Sequence, residues 1–155
     1  MPRKLLLRVA AVLWVVWGLV HVFAGVTIMT LPTSDAVAAV ADAVPPATLA
    51  MDYPPAAGAV LKQHGWNLAW IGLTTIVCAF AMWQPRLWPV WLAALVGGLA
   101  DVGYFLFMDL GGFVNFVPGT VMTLVSGSAI ILSFAAVWPL WRGTEDAPSV
   151  EATAS

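Results

Sequence analysis

The fold class of this chain follows from residues Leu61–Met82, LKQHGWNLAWIGLTTIVCAFAM. The stretch is long enough to cross about 30 Å of hydrocarbon as a helix that rises about 1.5 Å per residue. Its first turns carry His64 and Asn67, although polar groups are costly inside a bilayer, where water cannot solvate them. We therefore interpret this stretch as a membrane-spanning helix with polar groups near one end.

The composition argues against a soluble domain. The 155 residues are 61% hydrophobic and 9% charged, and the mean hydropathy is +0.92. Soluble domains are about 45–50% apolar and about 25% charged, and a small domain has too much surface to hide such a deficit of charge. Six scattered basic residues form no patch for nucleic acid. The single cysteine, Cys78, lies in an apolar run, so we expect a packing role and no disulfide framework.

Four apolar runs predict an all-α fold, an integral membrane four-helix transmembrane bundle within residues 1–142. The spans are expected at about 5–29, 61–83, 87–108 and 116–138, with an outer loop at 31–60 and a disordered cytoplasmic tail at 143–155. A signal peptide is the alternative for the first run. That run is longer than the apolar core of about 7–15 residues in signal peptides, so we expect a retained helix.

The basic residues predict the orientation, because cytoplasmic loops carry an excess of Lys and Arg. With four spans, only Lys62 falls on the outer side. The remaining basic residues fall on the other side: Arg3, Lys4, Arg8, Arg86 and Arg142. We therefore expect a multi-pass protein of the plasma membrane (the bacterial inner membrane) with both termini cytoplasmic.

Polar residues in the apolar runs predict a site in the outer half of the membrane. Although the spans alternate in direction, all these residues lie toward the predicted outer ends: His21, His64, Asn67, Asp101, Tyr104, Asp109 and Asn115. Intramembrane ionisable groups usually belong to functional sites. Our candidates are Asn67, Asp101 and Tyr104 as catalytic residues and His64 and His21 as cofactor-binding residues. Asp109 and Asn115 are typical of turns and helix caps.

Small residues accompany this site. Gly18 and Gly25 flank His21 on its helix, which leaves room for a neighbouring helix or a flat ligand. Gly97 and Gly98 follow Ala93 and Ala94 by four residues, a spacing that permits close helix contact. The bilayer is the expected partner, together with a small apolar ligand and a homo-oligomer formed through such small-residue faces. No nucleic-acid partner is expected.

Two histidines and a carboxylate are also typical of metal sites. His64 and His21 could ligate iron or copper with Asp101 beside them, or His64 could ligate haem axially. Proton or substrate translocation would use the same groups. The residues come from three different helices, so no local motif selects among these uses.

Three segments resemble the styrene oxide isomerases: Gln63-His64-Gly65-Trp66-Asn67, Ala100-Asp101-Val102-Gly103-Tyr104-Phe105-Leu106-Phe107 and Phe116-Val117-Pro118-Gly119. The resemblance implies a small four-span membrane enzyme that binds haem b and isomerises an epoxide to an aldehyde, with His64 as the haem ligand. Two positions depart from the family. Trp70 stands where the family has an asparagine, and Phe105 stands where it has a tyrosine.

Two functions are therefore carried forward. In the first, the polar layer binds a cofactor or small apolar molecule, as in a haem-dependent epoxide isomerase-like enzyme. In the second, the protein is a non-catalytic membrane subunit or partner-binding protein whose polar residues form interhelical bonds.

Overall fold

The computed structural model describes residues 3–142, and all regular elements in that range are helical. The predicted tail at 143–155 lies outside the described residues. The elements are α1 (Arg3–Thr30), α2 (Thr33–Val40), α3 (Pro46–Leu49), α4 (Pro55–Ala81), α5 (Leu87–Ala93), α6 (Leu99–Tyr104) and α7 (Val121–Trp141), with π-helical turns at Ala94–Gly98, Phe105–Asp109 and Phe116–Thr120. The all-α prediction is confirmed for this part of the chain.

Three helices in the described range are long and apolar enough to cross a membrane: Arg3–Thr30, Leu87–Asp109 and Phe116–Pro139. Helix α4 has 27 residues but is not among them. Its first half carries Lys62, His64 and Asn67, which lower its hydropathy. Three of the predicted spans thus coincide with apolar helices, and the second span stays a prediction.

The predicted outer loop is partly helical. Helices α2 and α3 lie within it, and α4 begins at Pro55, ahead of the predicted start at residue 61. Proline is favoured in the first turn of a helix, where its missing N–H has no intrahelical partner. The Ala56 and Ala57 pair that follows has high helix propensity. The loop proper is therefore short, and α4 extends beyond its apolar stretch.

Helices α1 and α4 pack closely through four glycines. A Cβ atom at Gly18 would lie 2.6 Å from the carbonyl oxygen of Gly72, and one at Gly65 would lie 2.7 Å from that of Gly25. In both helices the two glycines are seven residues apart, so they share one face. The room that the sequence indicated beside His21 is therefore filled by a neighbouring helix.

The third apolar segment, Leu87–Asp109, packs its glycines Gly97 and Gly98 against other helices of the same chain. A Cβ at Gly97 would lie 2.7 Å from the ring of Trp14, and one at Gly98 would lie 2.8 Å from Cδ1 of Ile130. Trp14 is fully buried and makes an edge contact with Trp17 at 5.7 Å between ring centroids. Trp14 of α1 thus occupies the space beside Gly97, and Ile130 of α7 occupies the space beside Gly98.

Arginine and tryptophan side chains gather at one end of the long helices. Arg8 stacks over Trp83 at 5.6 Å, and Arg142 stacks over Trp138 at 4.8 Å. Trp141 contacts both Trp138 and Trp91 of α5. The start of α1, the end of α4, the start of α5 and the end of α7 therefore lie together, as an even number of antiparallel long helices requires.

Candidate functional site

A buried hydrogen bond joins α1 to α6. The indole Nε1–H of Trp17 donates to Oδ2 of Asp101 at 2.8 Å, and Asp101 is only 4% exposed. The hydroxyl of Ser126 on α7 lies close enough to interact with the same carboxyl group. Asp101 thus lies at the junction of three helices, and two π-helical turns flank its own helix. Such turns frequently occur at functional sites.

The imidazole of His21 is oriented by its own helix. Its Nδ1 lies 2.8 Å from the carbonyl oxygen of Trp17. Because a carbonyl only accepts hydrogen bonds, Nδ1 carries the proton and the neutral ring has a free lone pair on Nε2. The ring stacks on Trp17 with 3.5 Å between centroids. Its Nε2 lies 3.8 Å from Oδ1 of Asp101, beyond hydrogen-bond distance.

Two adjoining cavities of about 130 and 390 Å³ open beside this pair. They share six lining residues: His21, Val40, His64, Leu68, Asp101 and Tyr104. Four of the six are polar residues that the sequence placed in one layer, and they come from α1, α4 and α6. The structure therefore brings these predicted residues together around common space.

The rest of the lining is mostly apolar. The larger cavity adds Ile71 of α4 and Ala100, Phe107 and Met108 of the third apolar segment. The smaller cavity adds Ala24, Ile28, Pro118 and Met122. Convergent polar groups in an apolar cavity are the usual composition of a small-molecule site.

His64 and Asn67 lie on α4 at the larger cavity. His64 is exposed, and within residues 3–142 neither of its ring nitrogens has a hydrogen-bond partner. The side-chain oxygen of Asn67 accepts a hydrogen bond from Trp70 Nε1 at 3.1 Å. Trp66 and Trp70 themselves point outward, at 62% and 42% exposure. Of the two histidines, His64 thus has ring nitrogens free to contact a ligand. Asn67 already uses its side-chain oxygen as an acceptor for Trp70.

Tyr104 reaches across the smaller cavity toward the start of the last apolar segment. A Cβ at Gly119 would lie 2.9 Å from its hydroxyl oxygen. The carboxyl groups of Asp42, Asp101 and Asp109 lie near enough to act on the hydroxyl electrostatically. Asp109 accepts a hydrogen bond from Thr120 at 2.6 Å, which fits the turn role expected for it.

The sequence reading missed Trp17 and Asp42. Trp17 precedes His21 by one helical turn, and that spacing was the available signal, but tryptophan in an apolar run reads as a packing residue. Asp42 lies in the outer loop, lines the smaller cavity and accepts a hydrogen bond from the backbone N–H of Asn115 at 2.7 Å. The amide of Asn115 donates to the Asp42 carbonyl at 2.9 Å. No local pattern pairs residues so distant in sequence.

Replacing Asp42 with alanine is expected to loosen this loop without unfolding the helices. The lost bond is charge-assisted but exposed, so the local cost should be about 1 kcal/mol. A loss of about 1.4 kcal/mol raises the population of the locally open state about tenfold, so a loss of about 1 kcal/mol raises it about fivefold. Hydrogen exchange at the Ala43 and Asn115 amides should therefore become about fivefold faster. Asp52→Ala, an exposed aspartate of the same loop, is the control. Equal exchange in both variants would contradict the prediction.

A multi-ligand metal centre is not assembled in residues 3–142. No group of three or more His, Cys, Asp or Glu side chains in that range has the geometry to hold a metal ion. The arrangement with His21, His64 and Asp101 as joint metal ligands is therefore not formed, whereas a single axial histidine needs no such group.

Comparison with protein-family models, curated proteins and solved structures gives no match for this chain.

Proposed function

We propose that the chain is a four-span membrane protein with both termini cytoplasmic and that α4 is its second span. The polar residues that lower the hydropathy of α4 support this, because His64 and Asn67 line a cavity shared with other helices. The glycine contacts between α1 and α4 also support it, since small-residue faces are typical of helix packing in membranes. The cavities would then lie in the outer half of the bilayer.

The function that this geometry supports best is binding of a small, mostly apolar molecule in the larger cavity. The observation that carries the proposal is the convergence of both histidines, Asp101 and Tyr104 on space otherwise lined by apolar side chains. A volume of about 390 Å³ falls at the lower end of the range of about 300–1,000 Å³ found for ligand pockets. Such a ligand would be held by shape and by a few polar contacts.

Haem b, which the resemblance implies, is compatible with one residue of this site. His64 offers an exposed imidazole at both cavities and would be the residue that holds the haem iron. His21 suits the role less, because one face of its ring is covered by Trp17 and its Nε2 faces Asp101. When bound at His64, ferric haem would supply a Lewis acid.

The chain's own residues would do the rest of an epoxide isomerisation. The Tyr104 hydroxyl, which has no hydrogen-bond partner within residues 3–142, could donate to an epoxide oxygen in the cavity. The carboxyl of Asp101 would favour developing positive charge on the substrate. The apolar lining would exclude water from the reacting carbon atoms.

The second candidate is a non-catalytic subunit whose polar residues bond helices together. One observation favours it for one residue: Asp101 accepts a buried hydrogen bond from Trp17 on another helix. His64 has no such bond, so the two functions predict different effects of replacing His64.

Replacing His64 with alanine is expected to abolish cofactor or ligand binding while the protein still assembles. We would purify the wild type with haem supply and record its absorption spectrum with metal analysis. A Soret band that is lost in His64→Ala and kept in Gln63→Ala, an exposed neighbour that lines neither cavity, would support haem ligation. A colourless wild type would contradict haem binding. Impaired assembly of the His64→Ala variant would favour the non-catalytic subunit.

A further inference from the structure

Two hydrogen-bond acceptors face each other at the end of the larger cavity. Oδ1 of Asp101 and Nε2 of His21 are 3.8 Å apart. The other oxygen of Asp101 is used by Trp17, and the other nitrogen of His21 is used by the Trp17 carbonyl. Neither remaining atom can donate while Asp101 is ionised and His21 is neutral. The Ser126 hydroxyl lies near the same carboxyl group, but within the pair neither of these two atoms supplies a hydrogen to the other.

A single donor atom placed to one side of the line that joins these two acceptors can serve both of them. An atom about 2.8 Å from each acceptor lies within the normal hydrogen-bond range. Such an atom needs two hydrogens to satisfy both acceptors, as in a primary ammonium group or a water molecule. An ether or epoxide oxygen has no hydrogen to offer these two acceptors, so its partner in the cavity would be the Tyr104 hydroxyl and not this pair.

We propose that the larger cavity binds a lipophilic primary amine, with its ammonium group between Oδ1 of Asp101 and Nε2 of His21. This inference rests on the proposed function, because it names the class of small molecule that the cavity takes. The apolar body of the amine lies against Leu68, Ile71 and Met108, which line the same cavity.

The charge of the site suits a cation. Asp101 lines both cavities and Asp42 lines the smaller one, and neither cavity has a Lys or Arg among its lining residues in the described range. Asp109 lies near enough to act on the intervening Tyr104 hydroxyl. In an environment of low dielectric constant, an ammonium–carboxylate contact is stronger than in water, and charge-assisted hydrogen bonds are roughly twice as strong as neutral ones.

The packing of the helices leaves a path to this cavity. Helix α4 packs against α5 and the first π-helical turn of the third apolar segment. Farther along, the cavity separates His64 and Asn67 of α4 from Gly103 and Phe107. A Cβ at Gly103 would meet nothing within 4 Å, so this side of the cavity is open space that a side chain could fill.

Three probes of similar size test the proposal: 2-phenylethylamine, 2-phenylethanol and propylbenzene. Their binding to the full chain in lipid nanodiscs is measured by calorimetry, with empty nanodiscs as the reference for partitioning into lipid. The amine should bind at least about tenfold more tightly than the alcohol, a difference of about 1.4 kcal/mol. The Asp101→Asn variant keeps an acceptor for Trp17. In this variant the affinity for the amine should fall about tenfold, while the affinity for the alcohol should change by less than about twofold.

Gly103→Leu should block binding of the amine, because its side chain enters the cavity. Gly127→Leu is the matched control, since Gly127 also has open space around it but lines neither cavity. Equal binding of all three probes, blocked by Gly103→Leu, would overturn the amine proposal and leave the proposed function standing. Failure of every probe to bind the wild type would overturn both. An amine preference that survives in Asp101→Asn would overturn the assignment of the ammonium to this pair.

Discussion

Replacing Gly72 with valine is expected to prevent α1 and α4 from packing. A Cβ at this position would lie 3.0 Å from the backbone nitrogen of Val22 and 3.1 Å from Cβ of His21, and closer still to the Gly18 carbonyl oxygen. These neighbours are backbone or near-backbone atoms, so they cannot rotate away. Overpacking of side chains costs about 1–3 kcal/mol, and a clash with backbone belongs at or above the top of that range.

The measurement is the folded yield and the thermal midpoint in detergent. Gly127→Val is the control, because a Cβ at Gly127 meets nothing within 4 Å and the same β-branched residue enters a long helix. The glycine contact predicts a large fall in folded yield and thermal midpoint for Gly72→Val and little change in either quantity for the control. Similar stability in both variants would mean that the close approach of α1 and α4 does not hold the fold together.

Replacing Asp101 with leucine is expected to lower the free energy of unfolding by about 2 kcal/mol and to remove ligand binding. The buried Trp17 Nε1–H would lose its acceptor, and leaving a buried donor unpaired costs about 1–3 kcal/mol. Removal of a buried carboxylate also removes the cost of desolvating it, which limits the decrease in the free energy of unfolding. Asp101→Asn should cost less, because its amide oxygen can still accept from Trp17.

A double-mutant cycle separates these terms. With Trp17→Phe and Asp101→Leu together, no donor is left unpaired, so we expect a coupling energy of about 1–2 kcal/mol between the two positions. Chemical denaturation of the four proteins would give the value. An Asp101→Leu variant at least as stable as the wild type, with zero coupling, would show that the Trp17–Asp101 bond contributes nothing to stability.

Three of the four predicted spans coincide with helices long and apolar enough to cross a membrane, because a long apolar run has few alternatives to a helix in a bilayer. The first span was expected at 5–29 and the helix is Arg3–Thr30, while the third was expected at 87–108 and the helix segment ends at Asp109. The start of α4 was less predictable. Its first turns lie outside the apolar run, where hydropathy carries no information and Pro55 sets the boundary instead.

Some residues that line the cavities could be identified from the sequence, whereas Trp17, Asp42 and the contacts between residues could not. Polar residues in apolar runs are costly, so the sequence alone identifies His21, His64 and Asp101 as groups that need partners. The identity of those partners depends on how each helix is rotated. The π-helical turns at Ala94–Gly98 and Phe105–Asp109 alter that rotation, and hydrophobic periodicity does not reveal them.

The amino-acid sequence by itself determines that this chain is helical and apolar enough for a membrane, and it indicates a helix face with room for a neighbour at Gly18 and Gly25. These properties follow from local composition and spacing. Only the tertiary structure decides that Trp17 satisfies one oxygen of Asp101, that His21 faces the other, and that Asp42 closes the outer loop on Asn115. Such contacts join residues far apart in the chain, so they depend on the packing of whole helices.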